Sequence, residues 1–400
     1  MKQLKHCVLF VLVFTIAYTF GLSLVTAEGS PVKGGTDQGY SYTILEDNSA
    51  CITKYSNGGD VVIPESLGGH SVTAIGERAF DRNQEVTSVT IPEGVISIGA
   101  NAFYWCGNMT AVTLPDSLQQ IGPEAFGMCT ALKTINLSKK HQYFELKNGV
   151  LFNKPEKALI FYPLTKKNTN YAVPSGTLHI AQSAFSSNEY IQSVSFPKSL
   201  LTIGKDAFHS CFSMKGAINL PQSLQSVGEG AFALCDNCSS LSIPASLTEI
   251  GEKAFLGCKI KKITVAKGNQ TYKLVDGVLF TADGKTLVYY PGAKKEKSYT
   301  VPEGTERLAS GSFYWVQDLE SLTVPEGVTD IGDFVVYVCG KLSTVQVPST
   351  LESIGDYSLE GQTEDYVVIV PAGSFAEKWC RTKKYAYNGD YFHPLNYRVE

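Results

Sequence analysis

Apolar positions along this chain follow two rhythms at once. Locally, Val89-Thr90-Ile91, Val112-Thr113-Leu114 and Leu241-Ser242-Ile243 alternate apolar and polar residues. That period of two marks a short strand with one buried face. Each alternation runs into a proline, which ends the strand because it cannot donate to a ladder. The prolines keep a longer beat: Pro92 and Pro115, then Pro174, Pro197, Pro221 and Pro244, then Pro302, Pro325, Pro348 and Pro371, at intervals of 23 or 24 residues within each series. A full unit reads Leu-Pro-x-x-Leu-x-x-Ile-Gly-x-x-Ala-Phe-x-x-Cys-x-x-Leu-x-x-Ile-x. A period of this length predicts a solenoid, in which no unit buries its apolar side alone and a single continuous core grows by stacking.

The rest of the unit follows position by position. The Ile-Gly step turns the chain, and Gly99, Gly122, Gly204, Gly251, Gly332 and Gly355 recur where a positive φ is expected. The Ala-Phe pair (Ala102-Phe103, Ala207-Phe208 and their counterparts) suits a short helical turn, with the phenylalanines stacked along the core. Two insertions, near 139–173 and 267–301, lengthen the unit. Both carry Gly-Val-Leu-Phe, a second apolar strand ending Tyr-Pro, then Lys-Lys, with matched residues 128 apart. They read as hairpins replacing the Ala-Phe segment. Domain boundaries follow: linker 28–38, an N-terminal capping hairpin at 39–63 around Asp47-Asn48-Ser49, repeats over 64–371, and a C-terminal cap at 372–400 with a helix expected from Phe375 to Lys384.

The first 27 residues stand apart. Lys2, Lys5 and His6 precede an apolar run from Cys7 to Leu24, and Val25-Thr26-Ala27 has the small-residue spacing of a signal peptidase site. A cleaved signal peptide is the expectation; an uncleaved anchor is the alternative, since the run is almost long enough to span a bilayer. After cleavage no stable membrane span is expected, which places the chain outside the cell or at its surface. The net charge of −4 gives no basic excess for nucleic acid.

Nine cysteines lie beyond the signal segment. Six of them, Cys106, Cys129, Cys211, Cys235, Cys258 and Cys339, fall three residues after the Ala-Phe position of their unit, as a ladder of small buried hydrophobes would. Disulfides between neighbours or a metal at Cys235-x-x-Cys238 are the alternatives. None of His70, His141, His179, His209 and His393 sits in a nucleophile or triad setting, and the glycines recur singly rather than as a phosphate loop. No cofactor, metal site or enzymatic activity is expected.

Three surfaces compete as contact sites. Strand positions between the buried ones face outward, among them Ser193, Ser195, Asn219, Ser240, Ser242, Thr264, Ser321 and Thr323. They form either a flat polar platform for a partner or simply a well-behaved sheet. Tyr104-Trp105 and Tyr314-Trp315 add aromatic pairs, and Lys166, Lys167, Lys294, Lys295 and Lys297 make small basic knobs.

The Ile-Pro-x-x-Leu-x-x-Ile-Gly-x-x-Ala-Phe-x-x-Cys core, the Gly-Val-Leu-Phe insertions and the Val370-Pro371-Ala372-Gly373-Ser374 ending resemble the BspA-like leucine-rich repeat family of surface and secreted proteins, over residues 40–384. The resemblance implies a right-handed α/β leucine-rich-repeat solenoid with one short parallel strand per unit. It further implies an adhesin that contacts extracellular matrix or host-surface proteins. The alternative is a secreted protein that captures glycan or peptide without catalysis.

Overall fold

The computed structural model describes residues 34–361, 365–387 and 390–400; the signal-peptide reading falls outside them. The chain winds into a β-solenoid of about 14 turns. Each regular coil carries two strands rather than the one expected. The pre-proline strands pair in parallel one repeat apart, so that Val89 lies beside Val112 and Val112 beside Ile135. A second parallel ladder is built from two-residue strands such as Ser97–Ile98, Gln120–Ile121, Thr202–Ile203 and Ser226–Val227. The Ala-Phe segment is a run of tight turns, not a helical turn. Its backbone still bonds to the next coil: the Phe80 N–H donates to the Ala102 carbonyl at 2.7 Å, and Phe208 to Ala231 at 2.7 Å. Among the described residues the single helix is Phe375–Thr382, whose first turn is capped by Ser374 Oγ accepting from the Glu377 N–H at 3.1 Å. The α/β expectation therefore gives way to an essentially all-β array.

The recurrent glycines serve a different purpose from the one expected. None of Gly99, Gly122, Gly204, Gly251, Gly332 and Gly355 has a positive φ. A Cβ at Gly99 would sit 2.6 Å from the Glu77 nitrogen, and at Gly251 2.4 Å from the Glu229 nitrogen. Glycine is required because adjacent coils touch backbone to backbone. Left-handed φ values fall elsewhere in the turn, on the residue before the buried alanine (Asn101, 55°; Asp206, 51°) and on the second residue after the phenylalanine (Ser210, 57°).

The expected continuous core is instead three cores, running from Tyr40 to Leu151, from Val150 to Tyr289 and from Val278 to Leu395. The insertions are the walls between them. Each is a three-stranded antiparallel meander, Phe144–Lys147, Val150–Asn153 and Ala158–Phe161 in the first, and Tyr272–Val275, Val278–Thr281 and Thr286–Tyr289 in the second. Alternation along the middle strand sends Leu151 into one core and Val150 and Phe152 into the next. The N-terminal cap is built the same way. Gly34–Asp37, expected as linker, pairs with Tyr40–Ile44, which pairs with Ala50–Tyr55. Each meander ends in a tyrosine that starts a ring stack: Tyr55 on Phe80 at 5.0 Å, Tyr162 on Phe185 at 4.8 Å, Tyr290 on Phe313 at 4.9 Å. The phenylalanines do stack, in two runs, while Phe313 stacks on Tyr290 alone. The longer run passes from Phe185 through Phe208 and Phe232 to Phe255.

One side chain, buried in the first copy and half-buried in the second, ties each insertion to the coil before it. In the first copy His141 is fully buried, with Nε2 3.0 Å from the Pro115 carbonyl and Nδ1 accepting from the Tyr143 and Phe144 N–H groups. At the matched position of the second copy, Asn269 donates to Pro244 and Leu247 carbonyls and accepts from Thr271 and Tyr272 N–H. We expect His141→Asn to stay within about 1 kcal/mol of the parent in urea unfolding. His141→Leu, which strands buried N–H and carbonyl groups, is expected to lose roughly 3 kcal/mol.

Candidate binding surface

The six ladder cysteines share one geometry. Each thiol donates to the carbonyl of the phenylalanine one coil earlier, at 3.0 to 3.2 Å: Cys106 to Phe80, Cys129 to Phe103, Cys211 to Phe185, Cys235 to Phe208, Cys258 to Phe232 and Cys339 to Phe313. All nine described cysteines are free and buried. Burial pushes the Cys106, Cys211 and Cys339 thiols up to about 12, which keeps them protonated at neutral pH. Among the described residues no group of three or more His, Cys, Asp or Glu is placed to hold a metal ion.

Ser193, Ser195, Asn219, Ser242 and Thr264 are exposed, whereas Ser240, Ser321 and Thr323 are half-buried. The ladder register sets Asn219, Ser242 and Thr264 in one row across three strands, and Ser240 beside Lys262 in the next. Ser193 and Ser195 belong to a separate two-stranded piece, and Ser321 and Thr323 to the C-terminal sheet. The hydroxyls bond along the rows, Ser193 Oγ to Asn170 Oδ1 at 2.6 Å and Thr264 Oγ1 to Ser242 Oγ at 3.2 Å. Three of the eight candidates thus form one continuous strip, with Ser240 at its side. The surface is flat, polar and uncharged apart from lysines at its margin.

The basic knobs are largely committed within the molecule. Lys166 Nζ donates to the Asn148 carbonyl at 2.7 Å and Lys294 Nζ to that of Asp276 at 2.9 Å, each bracing a hairpin turn. Lys295 pairs with Asp318 at 2.6 Å and Lys297 with Glu320 at 2.9 Å. Lys167 lies over the Tyr190 ring. Hydrogen bonds from Lys295 and Lys341 hold the Asp318 carboxyl down at about 2.

On the opposite, turn-bearing side each wall leaves a cleft where the ladder between coils is interrupted. The first, of about 300 Å³, is lined by Tyr104, Glu124, Met128, Ser183, Asp206 and His209 among others. Ser183 Oγ donates to Glu124 at 2.7 Å across it, and burial raises the Asp206 carboxyl. The second, of about 190 Å³, is lined by the ions Glu252, Lys253 and Arg307. Arg307 bridges Glu252 at 2.8 Å and Asp330 at 2.6 Å, and Lys253 reaches Asp333 at 3.0 Å. Burial pushes the Glu252 carboxyl up, but hydrogen bonds from Arg307 and Ser310 outweigh it and hold the group below its usual value.

Beyond the second cleft the Tyr314-Trp315 pair does not stand alone. Phe334, Tyr337 and Tyr357 from the next two coils join it. These three were not singled out in the sequence. The available signal was their placement beside Val335-Val336 and Ser358-Leu359, where the Ala-Phe mark has decayed.

Solved structures with similar chains include a leucine-rich cell surface protein from Faecalibacterium prausnitzii (24% identity, 93% of this chain and 95% of that one, TM-score 0.45). A leucine-rich repeat protein from Bacteroides ovatus is 19% identical over 93% and 99% of the two chains, with a TM-score of 0.40. The pneumococcal vaccine antigen PcpA is 17% identical over 93% and 100%, with a TM-score of 0.34. No curated protein matches the chain. The model of the BspA type leucine-rich repeat region matches residues 54–152, 158–274 and 290–373, which span most of the array just described. The chain belongs to the BspA-type leucine-rich repeat family.

Proposed function

We propose that this chain is an exported binding array that acts as an adhesin, contacting matrix or host-surface proteins through the outer face of its pre-proline sheet. The observation that carries the reading is the strip Asn219–Ser242–Thr264 with Ser193 and Ser195 beyond it, exposed, small and uncharged on a rigid scaffold. A surface of short side chains loses little rotamer freedom on contact, so a partner is not charged for ordering it. Family membership supports a protein-binding repeat module. The N-terminal 27 residues supply the export signal in this reading, and residues 28–33 the remaining linker.

The test is a binding screen of the chain from Glu28 onward, immobilised and exposed to fibronectin, fibrinogen, collagen, laminin and whole serum proteins. Saturable binding to one of them, weakened roughly tenfold or more by Ser193→Arg/Ser242→Arg, is the expected result. Binding that the double variant leaves unchanged would move the site off the sheet.

A further inference from the structure

The left-handed positions of the turn face are filled unevenly along the array. In the earlier coils they hold residues of many kinds, from Asn101, Asp206, Ser210, Gly230 and Gly257 to Arg78, Glu124, Met128, Leu234 and one isolated tryptophan, Trp105, so what sets the last coils apart is three aromatic residues side by side. In the last coils they hold Trp315 (φ 63°), Phe334 (φ 54°) and Tyr357 (φ 57°). A bulky aromatic residue in this region is a genuine outlier, and such strain concentrates where a ligand is held. Core packing does not account for it, since Trp315 is 36% exposed and Tyr357 51%.

The rings form one patch. Tyr314 lies 6.5 Å from Trp315 and 6.0 Å from Tyr337, at mutual tilts of 35° and 32°. Phe334 and Tyr357 are stacked on each other at 5.1 Å and stand at 84° and 72° to Tyr337. The surface is thus a shelf of two tyrosines and a tryptophan with an aromatic upright at one side. Its charges are matched internally: Lys253 with Asp333 at 3.0 Å, Lys259 with Asp236 at 3.9 Å, Lys383 with Asp356 at 3.6 Å. Lys253 and Lys259 also lie over the Phe334 and Trp315 rings. Among these pairs each lysine is matched by a carboxylate, and Glu360 beside Asp356 adds acidic rather than basic character to the rim.

The backbone beneath the rings is also committed. Phe313, Trp315, Phe334 and Val336 all donate their N–H to carbonyls of the following coil. Beneath Tyr314, Trp315 and Tyr337 the ladder is therefore already taken, which disfavours strand addition as the mode of capture at those rings. What the patch offers is ring surface, phenol hydroxyls and the carboxylates of Asp333 and Asp356 at its rim.

We propose that the shelf formed by Tyr314, Trp315 and Tyr337, with Tyr357 as its upright side, binds a neutral hexopyranose glycan. Sugar rings lay their C–H faces on the aromatic rings, and their hydroxyls donate to the rim carboxylates. This site is separate from the sheet-face reading and does not depend on it.

The test is affinity gel electrophoresis of the chain from Glu28 in gels carrying barley β-glucan, konjac glucomannan or guar galactomannan, with heparin as the charged comparison. Retardation by at least one neutral polysaccharide and none by heparin is expected. Trp315→Asn/Tyr357→Asn should weaken it roughly tenfold or more while the unfolding midpoint stays level or rises, because asparagine tolerates the left-handed backbone. Tyr357→Phe, which keeps the ring, and Trp105→Asn, on a distant coil, should bind like the parent, as should Ser193→Arg/Ser242→Arg. Four results would overturn the proposal: no retardation by any neutral polysaccharide, retardation by heparin alone, full binding by the Trp315/Tyr357 double variant, or loss of binding in Tyr357→Phe equal to that in Tyr357→Asn. Capture of a protein ligand at this patch in place of glycan would overturn it as well.

Discussion

Phe208→Ala is expected to cost about 3–5 kcal/mol and to loosen the middle of the molecule before its ends. The Phe208 ring is fully buried between Phe185 at 4.7 Å and Phe232 at 5.1 Å, with Phe196 against it at 5.9 Å. Removing it leaves a cavity that the neighbours cannot fill, because their backbones are pinned by ladders on either side. In a stacked array each coil depends mainly on its neighbours, so the loss stays local. The walls at 144–161 and 272–289 define where it stops. Hydrogen exchange should rise across peptides from 173–265 and remain near the parent's in 61–126 and 313–347. A uniform rise from end to end would mean one cooperative core rather than three.

Gly251→Ala should be as damaging for a reason unconnected with conformation. Its φ is ordinary, yet a Cβ would meet the Glu229 nitrogen at 2.4 Å and the Gly228 carbon at 2.7 Å. Both are backbone atoms, and Gly251 itself donates to the Val227 carbonyl at 2.8 Å. The coils can separate only by breaking that bond and its neighbours. A loss of about 3 kcal/mol is expected, the upper part of the range for overpacking. Gly176 is the control: its φ is +83° and a Cβ there would touch nothing within 4 Å. Gly176→Ala should cost only the left-handed penalty of about 1–2 kcal/mol. Equal losses in urea titrations of the two variants would refute the close-contact explanation.

The glycine column shows where sequence reading stops. A glycine repeated at a fixed period announces a constraint, but a steric limit set by the next coil and a positive φ leave the same mark. The true left-handed positions carry Asn101, Asp206 or Phe334, with no shared residue type to flag them. The second ladder was invisible for a simpler reason, since two residues such as Ser97–Ile98 are too few to show alternation. Gly34–Asp37 has no apolar residue at all, so its membership of a meander matching the two insertions could not be read. By contrast, the solenoid, the pre-proline strands, the stacked phenylalanines and the buried cysteines were legible because each repeats with one residue type at one spacing. Alternation also placed Ser193, Ser195, Asn219, Ser242 and Thr264 on the exposed face. It could not say that the sheet breaks into pieces between them, because the bulge at Gly216–Ala217 and the two walls leave no periodic trace.

The family and the fold together make the molecule a scaffold whose chemistry lies on its outside. The buried thiols are neutral at physiological pH, the charged groups lining the second cleft are paired with one another or with neighbouring carboxylates, and the basic knobs are largely spent on internal contacts. The proposed contact surfaces are the polar sheet face and the aromatic shelf on the turn side. The most direct measurement is the affinity of the tightest protein ligand for two variants side by side, Ser242→Arg on the sheet and Tyr357→Asn on the turns. The account predicts that Ser242→Arg weakens binding roughly tenfold or more and that Tyr357→Asn leaves it unchanged. Loss in Tyr357→Asn with full binding by Ser242→Arg would contradict it.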